Sequence, residues 1–142
     1  SQTKSLVYLS TIFLWCNDVG SMREFYTELI GLPEIYFQDD DSVGWLTYQS
    51  GQLQIVFIRA SSTLLVNSAW SKQPGYRGGS LQATSWVISV PYAEFMSITK
   101  RLKQANVPLF QDEPIVPQPN HLQFFVMDPM GNTVEVYASS QK

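Results

Sequence analysis

The sequence predicts an α+β fold made of two β-α-β-β-β modules that face each other. Three observations carry this. Strand-like runs alternate apolar and polar residues with a period of two. Two stretches carry apolar residues at helical spacing, each closed by a turn signal. The order of elements recurs: setting Gly31 against Asn106 shifts the chain by about 75 residues and lays helix on helix and strand on strand.

The first module opens with Leu6 to Trp15, rich in apolar and β-branched residues. Leu9, Thr11, Phe13 and Trp15 share one face; Tyr8, Ser10, Ile12 and Leu14 share the other. Asn17-Asp18-Val19-Gly20 breaks the strand. Ser21 and Glu24 have the spacing of a capping box at a helix start. Met22, Phe25 and Leu29 follow at helical spacing, Gly31 fits the residue after the helix, and Pro33 prevents its resumption. Glu34 to Phe37, Val43 to Gln49 and Leu53 to Arg59 read as strands. The acidic turn Gln38 to Ser42 reads as a solvated loop, because no cation-ligand spacing follows it.

Residues 61–80 form the expected connector between the modules, 1–60 and 81–142. It is too rich in Trp, Tyr and Leu for a disordered tether and should pack against something. In the second module, Thr84 to Val90 is a strand with Trp86, Ile88 and Val90 opposite Ser85, Val87 and Ser89. Pro91 opens a helix carrying Phe95, Ile98 and Leu102. Val107-Pro108-Leu109 stands where Leu32-Pro33 followed the first helix. Pro114 to Asn120 is a loop, and His121 to Met127 is a strand. Asp128-Pro129 then begins a turn, Gly131-Asn132 supplies residues tolerant of positive φ, and Thr133 to Tyr137 closes the module. Glu135 is the odd member of that last strand. A charge there is either exposed at a sheet surface or aimed into a site that needs an acid, and base rates of charged-residue burial favour exposure.

Composition narrows the function. The chain has 142 residues, 44% hydrophobic and 13% aromatic, enough for a real core, and a formal charge of −3. The few basic residues are scattered, which argues against nucleic acid as a partner. No window suits a membrane span, and the absence of a charged-then-apolar leader points to the cytosol. The single cysteine, Cys16, excludes an internal disulfide and a cysteine-built zinc site. It reads as a small core residue at a strand end. His121 reads as a histidine at a strand start, near a loop.

The pattern resembles the vicinal oxygen chelate superfamily: glyoxalase I, bleomycin-resistance proteins, extradiol dioxygenases and relatives. The carriers are Asp18, Phe25-Tyr26 and Gly31-Leu32, the Trp70 to Gly79 connector, and Asp128-Pro129-Met130-Gly131-Asn132 with Val134-Glu135-Val136. The resemblance implies curved sheets with a cleft between them, helices outside, and frequent dimers. Metal-dependent relatives place four ligands in the cleft, most often histidine and glutamate. By position those places fall at Thr11, near Gln54, at Ser85 and at Glu135.

The chemistry can be weighed without that alignment. First-row divalent metals want imidazole, carboxylate or thiolate ligands, usually three or more from protein. Between Ser42 and Ala93 there is no Asp, Glu, His or Cys. No metal and no other cofactor is therefore expected.

If Thr11, Gln54, Ser85 and Glu135 point into the cleft, alternation adds Phe13, Trp15, Val56, Val87 and Tyr137. A turn pairing Met127 with Thr133 adds Phe125 opposite Glu135, with Gln123 on the same face. The expected site is an aromatic-walled pocket with one buried acid, whose pKa burial would raise in the absence of a cationic partner. A direct Glu135–His121 dyad is not expected, because about 13 Å of extended strand separates His121 from Phe125. Trp15 and Trp70 could contact a ligand or simply pack. The reading is a metal-free, cytosolic, homodimeric protein that binds a small apolar or aromatic molecule. The alternatives are a metal-independent isomerase or lyase using Glu135 as acid or base, and a degenerate module that docks a protein partner.

Overall fold

The computed structural model describes residues 6–79 and 84–140. The chain divides into two compact units, Ser1–Leu64 and Leu65–Lys142. Ser80 and Leu81, where the expected connector meets the expected second module, lie outside the described residues.

The first unit is a four-stranded mixed sheet with a helix. Its strands are β1 (Thr11–Cys16), β2 (Glu34–Asp39), β3 (Gly44–Ser50) and β4 (Leu53–Arg59), in the order β1-β4-β3-β2. β1 runs parallel to β4, and Thr11, Phe13 and Trp15 stand beside Gln54, Val56 and Ile58. The remaining pairs are antiparallel. Residues 6–9 are exposed and outside any strand, so β1 begins later than its apolar run. Strand state requires a partner, and the ladder with β4 begins at Thr11.

The helix, α1 (Val19–Arg23), continues as a π-helical stretch from Glu24 to Ile30. Its cap corrects the sequence reading. Asp18, not Ser21, accepts the amides of Gly20 and Ser21, both at 3.2 Å. Ser21 turns its hydroxyl back to the Asp18 carbonyl. An extended aspartate satisfies the first orphan donors of a helix, so the break and the cap are one residue. Gly31 ends the helix at φ +98°, where its missing Cβ removes the left-handed penalty. Val19, Met22, Phe25, Tyr26 and Ile30 are buried, as are Leu46, Tyr48 and Phe57 on the sheet. Tyr26 stacks on Phe57 with ring centroids 5.1 Å apart. Cys16 ends β1 fully buried.

In the acidic turn, Asp40 accepts hydrogen bonds from the hydroxyl and amide of Ser42, the amide of Val43 and the Gln38 side chain. Those bonds hold its carboxyl well below the usual carboxylate range.

The second unit has a three-stranded sheet, β5 (Ser85–Ser89), β6 (His121–Met127) and β7 (Thr133–Ser139), in the order β5-β7-β6. β5 is parallel to β7 and β6 antiparallel to it. The second long helix, α2 (Phe95–Gln104), follows a single 3-10 turn and buries Phe95, Ile98, Thr99 and Leu102. The strand expected after α2 is reduced to two isolated bridges, Leu109 to Val126 and Ile115 to Gln123. Pro108, Pro114, Pro117 and Pro119 remove ladder donors from this segment. Among the described residues, no helix is long and apolar enough to cross a membrane.

Candidate functional site

The turn from Asp128 to Asn132 sets the geometry. The Asp128 carboxylate accepts the amides of Met130 and Asn132 and the Asn132 side chain. Gly131 sits at φ +81°. This closed turn registers β6 against β7, so Met127 faces Thr133, Phe125 faces Glu135 and Gln123 faces Tyr137. On the other side of β7, Ser85 and Val87 stand beside Thr133 and Glu135. Alternation therefore puts Ser85, Val87, Gln123, Phe125, Glu135 and Tyr137 on one face of one sheet.

Glu135 is 1% exposed. The exposed-face reading of this carboxylate is corrected, because the connector covers it. Asn67 donates to the turn, its amide to the Met130 carbonyl and its side chain to the Gly131 carbonyl. The Ser71 amide donates to the Thr133 hydroxyl at 2.8 Å. These bonds bring Lys72 over the face, with its Nζ 3.2 Å from Glu135 Oε1. The contact is an ion pair without hydrogen-bond alignment, since Oε1 accepts no hydrogen bond from a described residue. The other oxygen, Oε2, accepts from Gln123 Nε2 at 2.9 Å. The cationic partner missing from the sequence reading is thus Lys72.

Aromatic rings surround the pair. Lys72 Nζ lies 5.0 Å from the Tyr76 ring centre and 6.0 Å from that of Phe125. Phe125 contacts Phe110, and Phe110 meets Trp70 edge-on at 5.5 Å. Nearer the strand ends, His121 Nδ1 and the Tyr137 hydroxyl share a hydrogen bond. His121 is therefore engaged by Tyr137, while Glu135 is engaged by Gln123 and Lys72. Ser85 Oγ is buried and has no hydrogen-bond partner among the described residues.

In the first unit, Thr11, Phe13, Trp15, Gln54 and Val56 also share one sheet face. Val56 is buried, whereas Phe13 and Trp15 are more than half exposed. Phe13 meets Trp45 edge-on, and Gln54 donates to Gln49. A separate polar hollow of about 290 Å³ is lined by Asn17, Arg59 and residues 60–63. Its one cation, Arg59, is already engaged by the Asp39 carboxylate and the Asp40 carbonyl.

Sequence reasoning missed Lys72, Tyr76 and Phe110. One signal was available for the first: between Arg59 and Glu94 the sequence carries only two charges, Lys72 and Arg77.

The family model described as the glyoxalase/bleomycin resistance protein/dioxygenase superfamily matches residues 8–136. The chain belongs to this superfamily. The fold agrees. A genomically encoded fosfomycin resistance protein, FosX, from Listeria monocytogenes superposes with a TM-score of 0.65 at 17% identity, covering 97% of this chain and 95% of that one. The same Listeria protein in complex with Mn(II) and sulfate gives 0.61 at 16% identity, covering 96% and 95%. A lactoylglutathione lyase from Agrobacterium tumefaciens gives 0.58 at 18% identity, covering 96% of each. No functionally curated protein matches the chain in sequence.

The donors on this face bear on whether a metal could be held here. Among the described residues, no three of His, Cys, Asp or Glu come together in a way that could hold a metal ion. The carboxylate at the centre of the β7 face already has an ammonium group beside one oxygen and an amide on the other. This donor set does not fit a divalent cation.

Proposed function

We propose that this superfamily member is a metal-free binding protein for a small molecule with a flat apolar or aromatic body, seated against the β5-β7-β6 face. The observation that carries the reading is the buried Glu135 paired with the half-buried Lys72, joined by Gln123 and flanked by Phe125, Phe110 and Tyr76. Aromatic walls with a few placed polar groups suit organic ligands and give them orientation. Of the sequence-derived candidates, Ser85, Val87, Gln123, Phe125, Glu135 and Tyr137 form the proposed site in the second unit, with Lys72 added. Thr11, Phe13, Trp15, Gln54 and Val56 are proposed as ligand-contacting positions of the first unit.

A reading as a metal-independent enzyme has less support. A general base must reach the proton it takes, and Glu135 is nearly out of solvent with Gln123 on one oxygen and the Lys72 ammonium beside the other. A thermal-shift screen of aromatic and apolar compounds, followed by Glu135→Gln, separates the two. Ligands that raise Tm without being consumed support binding. Turnover of a hit that disappears in Glu135→Gln would establish the enzyme instead.

A further inference from the structure

We infer that the ligand of this site is an aromatic carboxylate, its anion held by Lys72 and its ring laid on Tyr76. The inference rests on the binding reading above and names its ligand class. The two charges of the pair lie at different depths. The Glu135 side chain keeps 2% of its surface, whereas that of Lys72 keeps 20%. Of the two side chains, the lysine is the one that a ligand can still reach. Arg77, the connector's other charge, is also positive and exposed. An ammonium has three N–H donors, and Glu135 Oε1 accepts no hydrogen bond from a described residue, which leaves a donor for a ligand oxygen. A second carboxylate would make a charge-assisted hydrogen bond there. A ligand amine would face that cation instead, and the carboxylate that could hold it lies beneath Lys72.

Tyr76 supplies the second half of the argument. It is 71% exposed, yet it carries Lys72 over its ring at 5.0 Å. Its φ is +59°, a left-handed conformation costly for a large side chain, in a turn closed by a bridge between Gln73 and Arg77. A strained, exposed aromatic beside a fixed ammonium is a surface for a flat anion.

Three probes of one shape test this: 2-naphthoate, 2-naphthamide and 2-naphthylmethylamine, titrated by ligand-observed NMR. The naphthoate should bind at least about tenfold tighter than the amide, the increment of one charge-assisted hydrogen bond, and the amine weakest. Lys72→Met should bring the naphthoate to the level of the amide. Lys72→Met/Glu135→Gln, which leaves no buried charge unpaired, should do the same if the single variant folds poorly. Tyr76→Ala should weaken naphthoate and naphthamide alike. Equal binding of acid and amide, tighter binding of the amine, or an acid preference that survives in the double variant would overturn the inference and leave the binding reading standing. No binding by any of the three would count against both.

Discussion

Glu135 is charged, nearly out of solvent and in the middle of a strand, a place an unpaired carboxylate does not tolerate. Lys72 makes it tolerable, and the two should respond to mutation as a unit. Lys72→Met leaves the carboxylate buried with only Gln123 for company. The expected loss is about 2 kcal/mol of stability, below the full penalty for breaking a buried pair because Lys72 retains some water. Lys72→Met/Glu135→Gln should recover much of that loss, giving a coupling of about 1 kcal/mol or more in a double-mutant cycle by urea denaturation. Additive single effects would mean that the pair contributes nothing. The acid's place on the face was legible in the sequence, since Asp128, Gly131 and the alternation of β7 fix it. Its partner was not. Lys72 lies in a segment without periodicity, brought over the sheet by the backbone hydrogen bonds of Asn67 and Ser71, and backbone donors are the same for every residue type.

At the scale of elements, a second network ties α1 to its sheet. Glu34 on β2 accepts from Arg23 and from the Thr27 hydroxyl, each at 2.8 Å, and Thr27 also meets the Tyr48 hydroxyl. Burial pushes the Glu34 carboxyl up, but the bonds from Arg23 and Thr27 outweigh it and leave the pKa below its ordinary value of 4.5. A depressed carboxylate pKa adds stability that is present above 4.5 and lost as pH falls through the lower folded value. Tm of the wild type should therefore fall more steeply below pH 4.5 than that of Glu34→Gln, in which this contribution is absent at every pH. Parallel acid limbs would remove Glu34 from the account. The connector offers a steric counterpart. A Cβ at Gly131 would stand 1.9 Å from the Asn67 carbonyl oxygen, at a φ that already disfavours it. Gly131→Ala should cost about 2 kcal/mol or more and speed amide exchange at Asn67 and Ser71. Unchanged exchange would show that the turn does not hold the connector down. Turns and strands such as β4 and β6 could be read because their signals are local. The cap at Asp18 was read as a break, since an aspartate in extended backbone serves both roles. The strand after α2 faded because its prolines outweigh the homology of the repeat.

For the molecule as a whole, the donor set among the described residues argues against a bound divalent metal. A divalent ion at Glu135 would have to displace Lys72 or sit beside it. Repulsion between unit charges about 4 Å apart is on the order of 4 kcal/mol near a protein surface, and a divalent ion doubles it. It would also find one carboxylate where structural and catalytic sites use three or more strong donors. Anything that binds only the folded state raises stability by RT ln(1 + [L]/Kd), so a thermal scan reads the outcome directly. Mn(II), Ni(II) and Zn(II) added at millimolar concentration, and EDTA added to protein as purified, should each leave Tm unchanged. Lys72→Gln should not create a response either, because removing the ammonium supplies no new ligand. A metal-dependent rise in Tm in the wild type, abolished by Glu135→Gln, would place a cation on this face and overturn the metal-free reading. A rise that appears only in Lys72→Gln would show that the lysine alone keeps the metal out.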